Sequence, residues 1–315
     1  MPISRACWWR PRHPADLPSS PAFTALLASA LFFSAASPAV AAPRADPPLA
    51  RAAPASAGGC DEFVGKLPNV TRALCLSAGL APGEARSVKG MPLYLRDVRA
   101  EGAKLRVLVT GAIHGDELSA ASLALHWMKL AQQEPPMETP QPVHWRFIPV
   151  LNPDGVLRQP PGRVNANGVD LNRNFPTPNW TRDAAVYWEK RTRKDPRRYP
   201  GPKALSEPES RFLHEQMQSF RPHLIVAIHA PYGVLDFDGP MVPPSKLGRL
   251  YLDQVGIFPG SLGNYGGVHK GVPVVTIELP NAMRTPLDAE MRQMWVDLLR
   301  WMGEKSIGGL AESVR

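Results

Sequence analysis

Residues 105–130, "LRVLVTGAIHGDELSAASLALHWMKL", change their pattern halfway along. Leu105 to Thr110 form a short apolar run of the kind that fills a buried strand. From Asp116 onward, "DELSAASLALHWMKLAQQ" reads as an amphipathic helix over 116–133. The junction holds Gly111, His114, Asp116 and Glu117. It supports two readings. Asp116 and Glu117 suit a helix start, where negative charge stabilises by roughly 0.3–1 kcal/mol. Alternatively, His114 and Glu117, three apart, point one imidazole and one carboxylate at a metal.

Outward from this junction the same alternation recurs. Residues 91–99 and 104–113 read as strands separated by "AEGAK", and 144–152 as a third. A long loop runs from Pro153 to Leu205. Ser206, with Glu209 three residues on, has the form of a capping box opening a helix. "HLIVAIH" (223–229) and "VPVVTIEL" (272–279) are buried-type strands. Residues 245–257 read as a helix, as do 286–304, where Trp295, Leu298, Leu299 and Met302 share a face. Strands alternating with helices predict an α/β layered domain with a substantially parallel sheet.

In such sheets the chemistry collects just past the carboxyl ends of strands. His114 follows one strand, His229 ends another, and Glu278 ends a third. His229 is the candidate to complete a ligand set with His114 and Glu117, leaving a position for water. A buried, hydrogen-bonded histidine is the plainer account of His229. Glu278 follows six residues rich in valine and isoleucine. A carboxylate there costs several kcal/mol unless paired or perturbed, so it is either an edge residue or a general base. "GRVNANGVDLNRNFP" (162–176) is over-supplied with directed hydrogen-bonding groups for a plain loop. Its Arg163 and Arg173 suit bidentate binding of a carboxylate or oxyanion. His126, His144, His214 and His223 read as ordinary helix and strand histidines, and His269 lies near the Glu278 strand.

Six stretches then occur in one order: "HGDE", "NPDG" (152–155), "RVNANGVDLNRNF", "YPGPKALSEPES" (199–210), "IVAIHAPYG" (225–233) and "TIELP" (276–280). Together they resemble the zinc metallocarboxypeptidases of the carboxypeptidase A type, over roughly residues 90–305. The resemblance implies a mixed, largely parallel twisted sheet of about eight strands with helices on both faces. It implies one zinc ion per chain, held by His114, Glu117 and His229. Asp170 then orients the first histidine, Arg163 polarises the scissile carbonyl, Asn172 and Arg173 grip the terminal carboxylate, and Glu278 is general base and proton shuttle. Many members place a mobile tyrosine about 22 residues before the base. Here that position is Gly256, and Tyr265 is the candidate substitute.

Within that family, "DLNRNFPTPNW", the "YPGP…SEPE" block and "HAPYGVLDFDGP" are most similar to bacterial murein peptide amidases. The resemblance implies hydrolysis of the amide between γ-D-glutamate and meso-diaminopimelate. Asp236 and Asp238 are then candidates to meet the ammonium at the far end of diaminopimelate, although they also suit an ordinary acidic loop. A general exported carboxypeptidase and a non-catalytic wall-binding protein on the same fold are the alternative expectations.

The amino-terminal residues read as export machinery. Arg5, Arg10 and Arg12 precede an apolar stretch from Ala22 to about Ala36, and Ala39-Val40-Ala41 fits a small-residue cleavage site. Residues 1–41 are thus expected to be a signal peptide and 42–59 an Ala/Pro-rich linker, with the catalytic domain over 60–315. An uncleaved anchor is the alternative. Otherwise the chain is expected to have no stable membrane insertion and to reach the periplasm. Cys60 and Cys75 are candidates for a bridge in an oxidising compartment. The net charge is +8, of which the leader's three arginines and one aspartate supply two units. Much of the remainder lies in "EKRTRKDPRRYPGPK" (189–203), read as a solvated loop suited to anionic wall polymers. With no nucleic-acid-binding module around it, no nucleic-acid partner is expected.

Overall fold

The computed structural model describes residues 59–133 and 142–305. The expected signal peptide, and all but the last residue of the expected linker, lie outside the described residues. In chain order, α1 (Cys60–Phe63) and α2 (Arg72–Ala78) precede β1 (Ala81–Arg86) and β2 (Pro92–Arg99). Then come β3 (Leu105–Thr110), α3 (Leu118–Ala131), β4 (Val143–Ile148) and α4 (Pro153–Leu157). After α5 (Trp180–Val186) and α6 (Pro208–Phe220) follow β5 (Leu224–His229), β6 (Val234–Asp238), β7 (Lys246–Leu247) and β8 (Leu250–Tyr251). β9 (Val274–Glu278) and α7 (Asp288–Glu304) close the series.

Seven strands form one sheet in the order β1-β2-β4-β3-β5-β9-β6. The central strands β4, β3, β5 and β9 pair in parallel, and β1, β2 and β6 join antiparallel. Every residue of β5 is buried, as its unbroken apolar sequence requires of a strand covered on both faces. Period two sorts the side chains of β3. Val107 and Val109 enter the core cluster that contains α3 and α7, while Leu108 enters the cluster that contains α6. The predicted face of α7, Trp295, Leu298, Leu299 and Met302, is buried. Burying each such side chain contributes about 1.5–3 kcal/mol.

Two local expectations are corrected. Residues 245–257 are not helical. Leu247 and Leu250 face each other as cross-strand partners of the β7–β8 ribbon, and the turn between them uses Gly248 at φ 58°. Ser206 does not cap α6. The residue before that helix is Glu207, the Ser206 hydroxyl donates to the Glu207 carboxylate at 2.6 Å, and Glu209 turns away to accept from Val88 N and Asn165. Among the described residues the main sheet has seven strands, in keeping with the expected mixed sheet of about eight.

Cys60 and Cys75 are disulfide-bonded, with Cα atoms 5.7 Å apart and 15 residues of separation. A loop of that size is worth about 3 kcal/mol in the chain-entropy model. Cys75→Ser is therefore expected to lower unfolding free energy by about that amount in denaturant titrations. An unchanged midpoint would remove the bridge from the stability account.

Candidate metal centre and substrate cleft

The carboxyl ends of three neighbouring parallel strands build the centre. β3 leads through residues 111–117 to His114 and Glu117, β5 ends on His229, and β9 ends on Glu278. The last two are register partners. The loop after β3 is fixed by close backbone packing. A side chain at Gly115 would collide with the Gly155 backbone, and Gly115 N donates to Arg163 O at 3.2 Å. The "NPDG" stretch holds the other side. Asn152 accepts from Gly155 N, donates to Arg163 O, and bonds Ala112 O through its own backbone.

His114, Glu117 and His229 converge, each buried, with one potential ligand atom apiece inside 4.8 Å. His114 Nδ1 lies 2.7 Å from Glu117 Oε1, and His229 Nδ1 lies 3.0 Å from Glu117 Oε2. Both imidazoles thus turn the same nitrogen toward one carboxylate. The second nitrogen of His114 lies 3.1 Å from Asp170 Oδ1. Two imidazole nitrogens and a carboxylate, with a carboxylate behind one histidine, suit a divalent ion of the zinc type. Glu278 Oε2 is buried without a hydrogen-bond partner among the described residues. An orphaned buried oxygen beside this trio fits a centre that receives a cation and a reactant.

Electrostatics follow from the crowding. Burial pushes Glu117 up, but the His114 and His229 rings hold it far below the ordinary carboxylate range. Asp170 is likewise raised by burial, yet Arg163 and then His114 keep it well below that range. Glu278 is pushed up by burial, against the His229 charge and with help from Glu117. That shift suits a proton acceptor.

Arg163, Asn172 and Arg173 line the same cleft, whose volume is about 740 Å³. Arg163 is fixed by Asp170 at 3.0 and 3.1 Å. Arg173 is buried, with its Nε unpartnered among the described residues and its guanidinium 4.4 Å from the Phe258 ring centre. The loop bearing these groups is anchored by asparagines. Asn165 donates to Glu207 and Glu209, and Asn174 donates to Pro200 O and Lys203 O. The "YPGPKALSEPES" block is therefore the brace of the "RVNANGVDLNRNF" loop.

Asp236 and Asp238 of β6 also line the cleft. Burial, then Asp236, raises Asp238 to about 6. Tyr265 is a correction. It is 3% exposed, stacks on Phe175 with ring centres 6.0 Å apart, and belongs to the core beneath the cleft. It cannot reach substrate there. Asp116 is corrected too. The first turn of α3 sends Ser119 N to Ala282 O, and Asp116 instead pairs with Arg197 at 2.8 Å. The lining holds residues that the sequence reading left out, among them Tyr187, Arg191, Arg198, Tyr232 and Asp253. Arg191 and Arg198 belong to the basic run read as a solvated loop. Among the described residues no helix is long and apolar enough to cross a membrane.

The sequence profile of the family described as zinc carboxypeptidase matches residues 84–235. Murein peptide amidase A of Vibrio campbellii is 32% identical over 235 residues, 72% of this chain and 88% of that protein. Murein peptide amidase A of Escherichia coli is 29% identical over 251 residues, 76% of this chain and 98% of that protein. Among solved structures, carboxypeptidase A from Helicoverpa armigera superposes with a TM-score of 0.53 at 18% identity, covering 77% of this chain and 72% of that one, which is a likeness of fold.

Proposed function

The chain belongs to the zinc carboxypeptidase family, and from that premise we propose that this metallopeptidase is an exported amidase of murein peptides, cutting between γ-D-glutamate and meso-diaminopimelate. The observation that carries this reading is the presence in one cleft of Arg173 with Asp236 and Asp238. The first suits a terminal carboxylate and the second two suit an ammonium at the end of the terminal side chain. Its 32% identical relative is named for murein peptides. Export rests on the leader-like residues 1–41, and the periplasm is where such an enzyme meets cell-wall peptides.

His114, Glu117 and His229 would hold the zinc ion, which when bound would supply Lewis acidity and lower the pKa of water toward neutrality. Glu278 accepts a proton from the attacking water and returns it to the departing amine. Arg163 donates to the carbonyl oxygen as negative charge develops on it, while Asp170 keeps both Arg163 and His114 in place. Asn172 and Arg173 hold the terminal carboxylate, which fixes the amide beside Glu278. Arg163→Ala is expected to lower kcat about a hundredfold to a thousandfold with a smaller change in KM. A change confined to KM would make Arg163 a binding residue only.

Asp238 gives a pH signature. Its carboxyl is raised to about 6, so it becomes anionic as pH rises through that value. KM for a substrate with a side-chain ammonium should therefore fall across pH 6, by roughly tenfold for one charged hydrogen bond. Asp238→Asn should remove that limb, and substrates with neutral terminal side chains should not show it.

The direct test offers the purified protein L-alanyl-γ-D-glutamyl-meso-diaminopimelate and ordinary α-linked peptides. Diaminopimelate released from the first alone supports the reading. Terminal amino acids released from ordinary peptides, with the murein peptide intact, would make it a general carboxypeptidase.

A further inference from the structure

Two arginines of the basic run line the cleft and have no part in the mechanism above. Arg191 ends the helical turn Tyr187–Arg191, and Arg198 ends the turn Pro196–Arg198. Of the other cations of the run, Lys190, Arg193 and Lys203 are not among the cleft-lining residues, and two are engaged elsewhere. Lys194 lies 3.4 Å from Glu189, and Arg197 pairs with Asp116. Among the described residues neither Arg191 nor Arg198 makes an ion pair. Asp195 also lines the cleft, but its carboxylate accepts from Arg197 N at 2.9 Å within its own turn. Arg173 is buried in the same cleft with its Nε unpartnered. Its charged form is disfavoured by burial, opposed by Asp170, and disfavoured again by Arg163 and Arg198. Cations gathered in a concave site repel one another and raise the local preference for anions. One terminal carboxylate occupies Arg173 and leaves Arg198 and Arg191 unmatched.

We propose that Arg198, aided by Arg191, is a specificity-determining residue that binds a second carboxylate, at the far end of the substrate's terminal side chain. The inference rests on the murein-peptide reading and sharpens it. Asp236 and Asp238 take the distal ammonium, and Arg198 takes the carboxylate on the same carbon. A lysine in that position offers only the ammonium. The cleft thereby separates diaminopimelate from lysine by one charged contact, where an aspartate pair alone would accept both.

The test uses zinc-loaded Glu278→Gln protein, which retains the cleft and turns over about a hundredfold or more slowly, and titrates it, on a timescale short against that turnover, with γ-D-glutamyl tripeptides ending in meso-diaminopimelate or in L-lysine. The diaminopimelate peptide should bind about tenfold or more tightly, the size expected of one charge-assisted hydrogen bond. Adding Arg198→Gln should abolish that preference without weakening the lysine peptide, and Arg198→Lys should restore part of it. Equal binding of the two peptides before Arg198 is changed would overturn the inference, as would equal weakening of both by Arg198→Gln in a variant that melts normally. If ordinary α-linked peptides bind and neither murein peptide does, the substrate reading itself fails and the inference falls with it.

Discussion

Glu278→Gln should lower kcat on the murein tripeptide by about a hundredfold to ten-thousandfold while leaving KM within a few-fold. Gln matches Glu in shape, so the end of β9 and its register with His229 are kept. What is lost is the ability to accept a proton, at a carboxylate with one oxygen buried and unpartnered among the described residues. Burial has already pushed that group up, which brings it closer to a useful base at neutral pH. Since a neutral amide costs less to bury than a carboxylate, folding stability should hold or rise slightly. Steady-state kinetics with a thermal melt checks both halves. Full activity in the variant would remove the base assignment.

The second large effect is loss of the metal. Chelation, or His229→Ala, should reduce turnover on the order of a thousandfold or more, because several kcal/mol of transition-state stabilisation go with the ion. Removing His229 also takes one partner from the buried Glu117 carboxylate, which keeps His114 at 2.7 Å and Arg163 at 3.5 Å. Loss of a charged partner at a buried carboxylate is destabilising, so the apo variant should melt lower than wild-type protein stripped of metal. Asp170→Asn should be milder, about 10–100-fold in metal affinity, because it disturbs the orientation of His114 and leaves the ligand itself. Metal content per chain, measured alongside activity, separates these cases. Metal retained stoichiometrically in His229→Ala would exclude that residue from the ligand set.

What the sequence revealed depended on whether a residue's role is local. Strands β3, β5 and β9 declare themselves because a central parallel strand must be apolar throughout, and their ends locate His114, His229 and Glu278. The face of α7 was legible for the same reason. The ribbon at 246–251 was not. Leucines three apart fit a helix face, yet they equally fit partners across a two-residue turn. Gly248 at positive φ, packed against Met294 of α7, decides for the turn. The edge strand β1, "APGEAR", carries too little apolar sequence to signal a strand, and β6, "VLDFD", places acids toward a cleft that only the fold creates. Tyr265 failed as a substrate residue because its spacing to Glu278 says nothing about depth. Arg191 and Arg198 were invisible as cleft residues because their placement depends on how the stretch between α5 and α6 folds back.

The central claim is that one ion, held by His114, Glu117 and His229, makes this cleft an amidase. It is tested most directly by adding zinc stepwise to chelated protein while following release of diaminopimelate from the defined tripeptide. The account predicts activity that rises linearly and stops at one equivalent per chain, with no recovery in His114→Ala or His229→Ala. Diaminopimelate release that continues unchanged in fully chelated protein, or that recovers equally in the ligand variants, would contradict it.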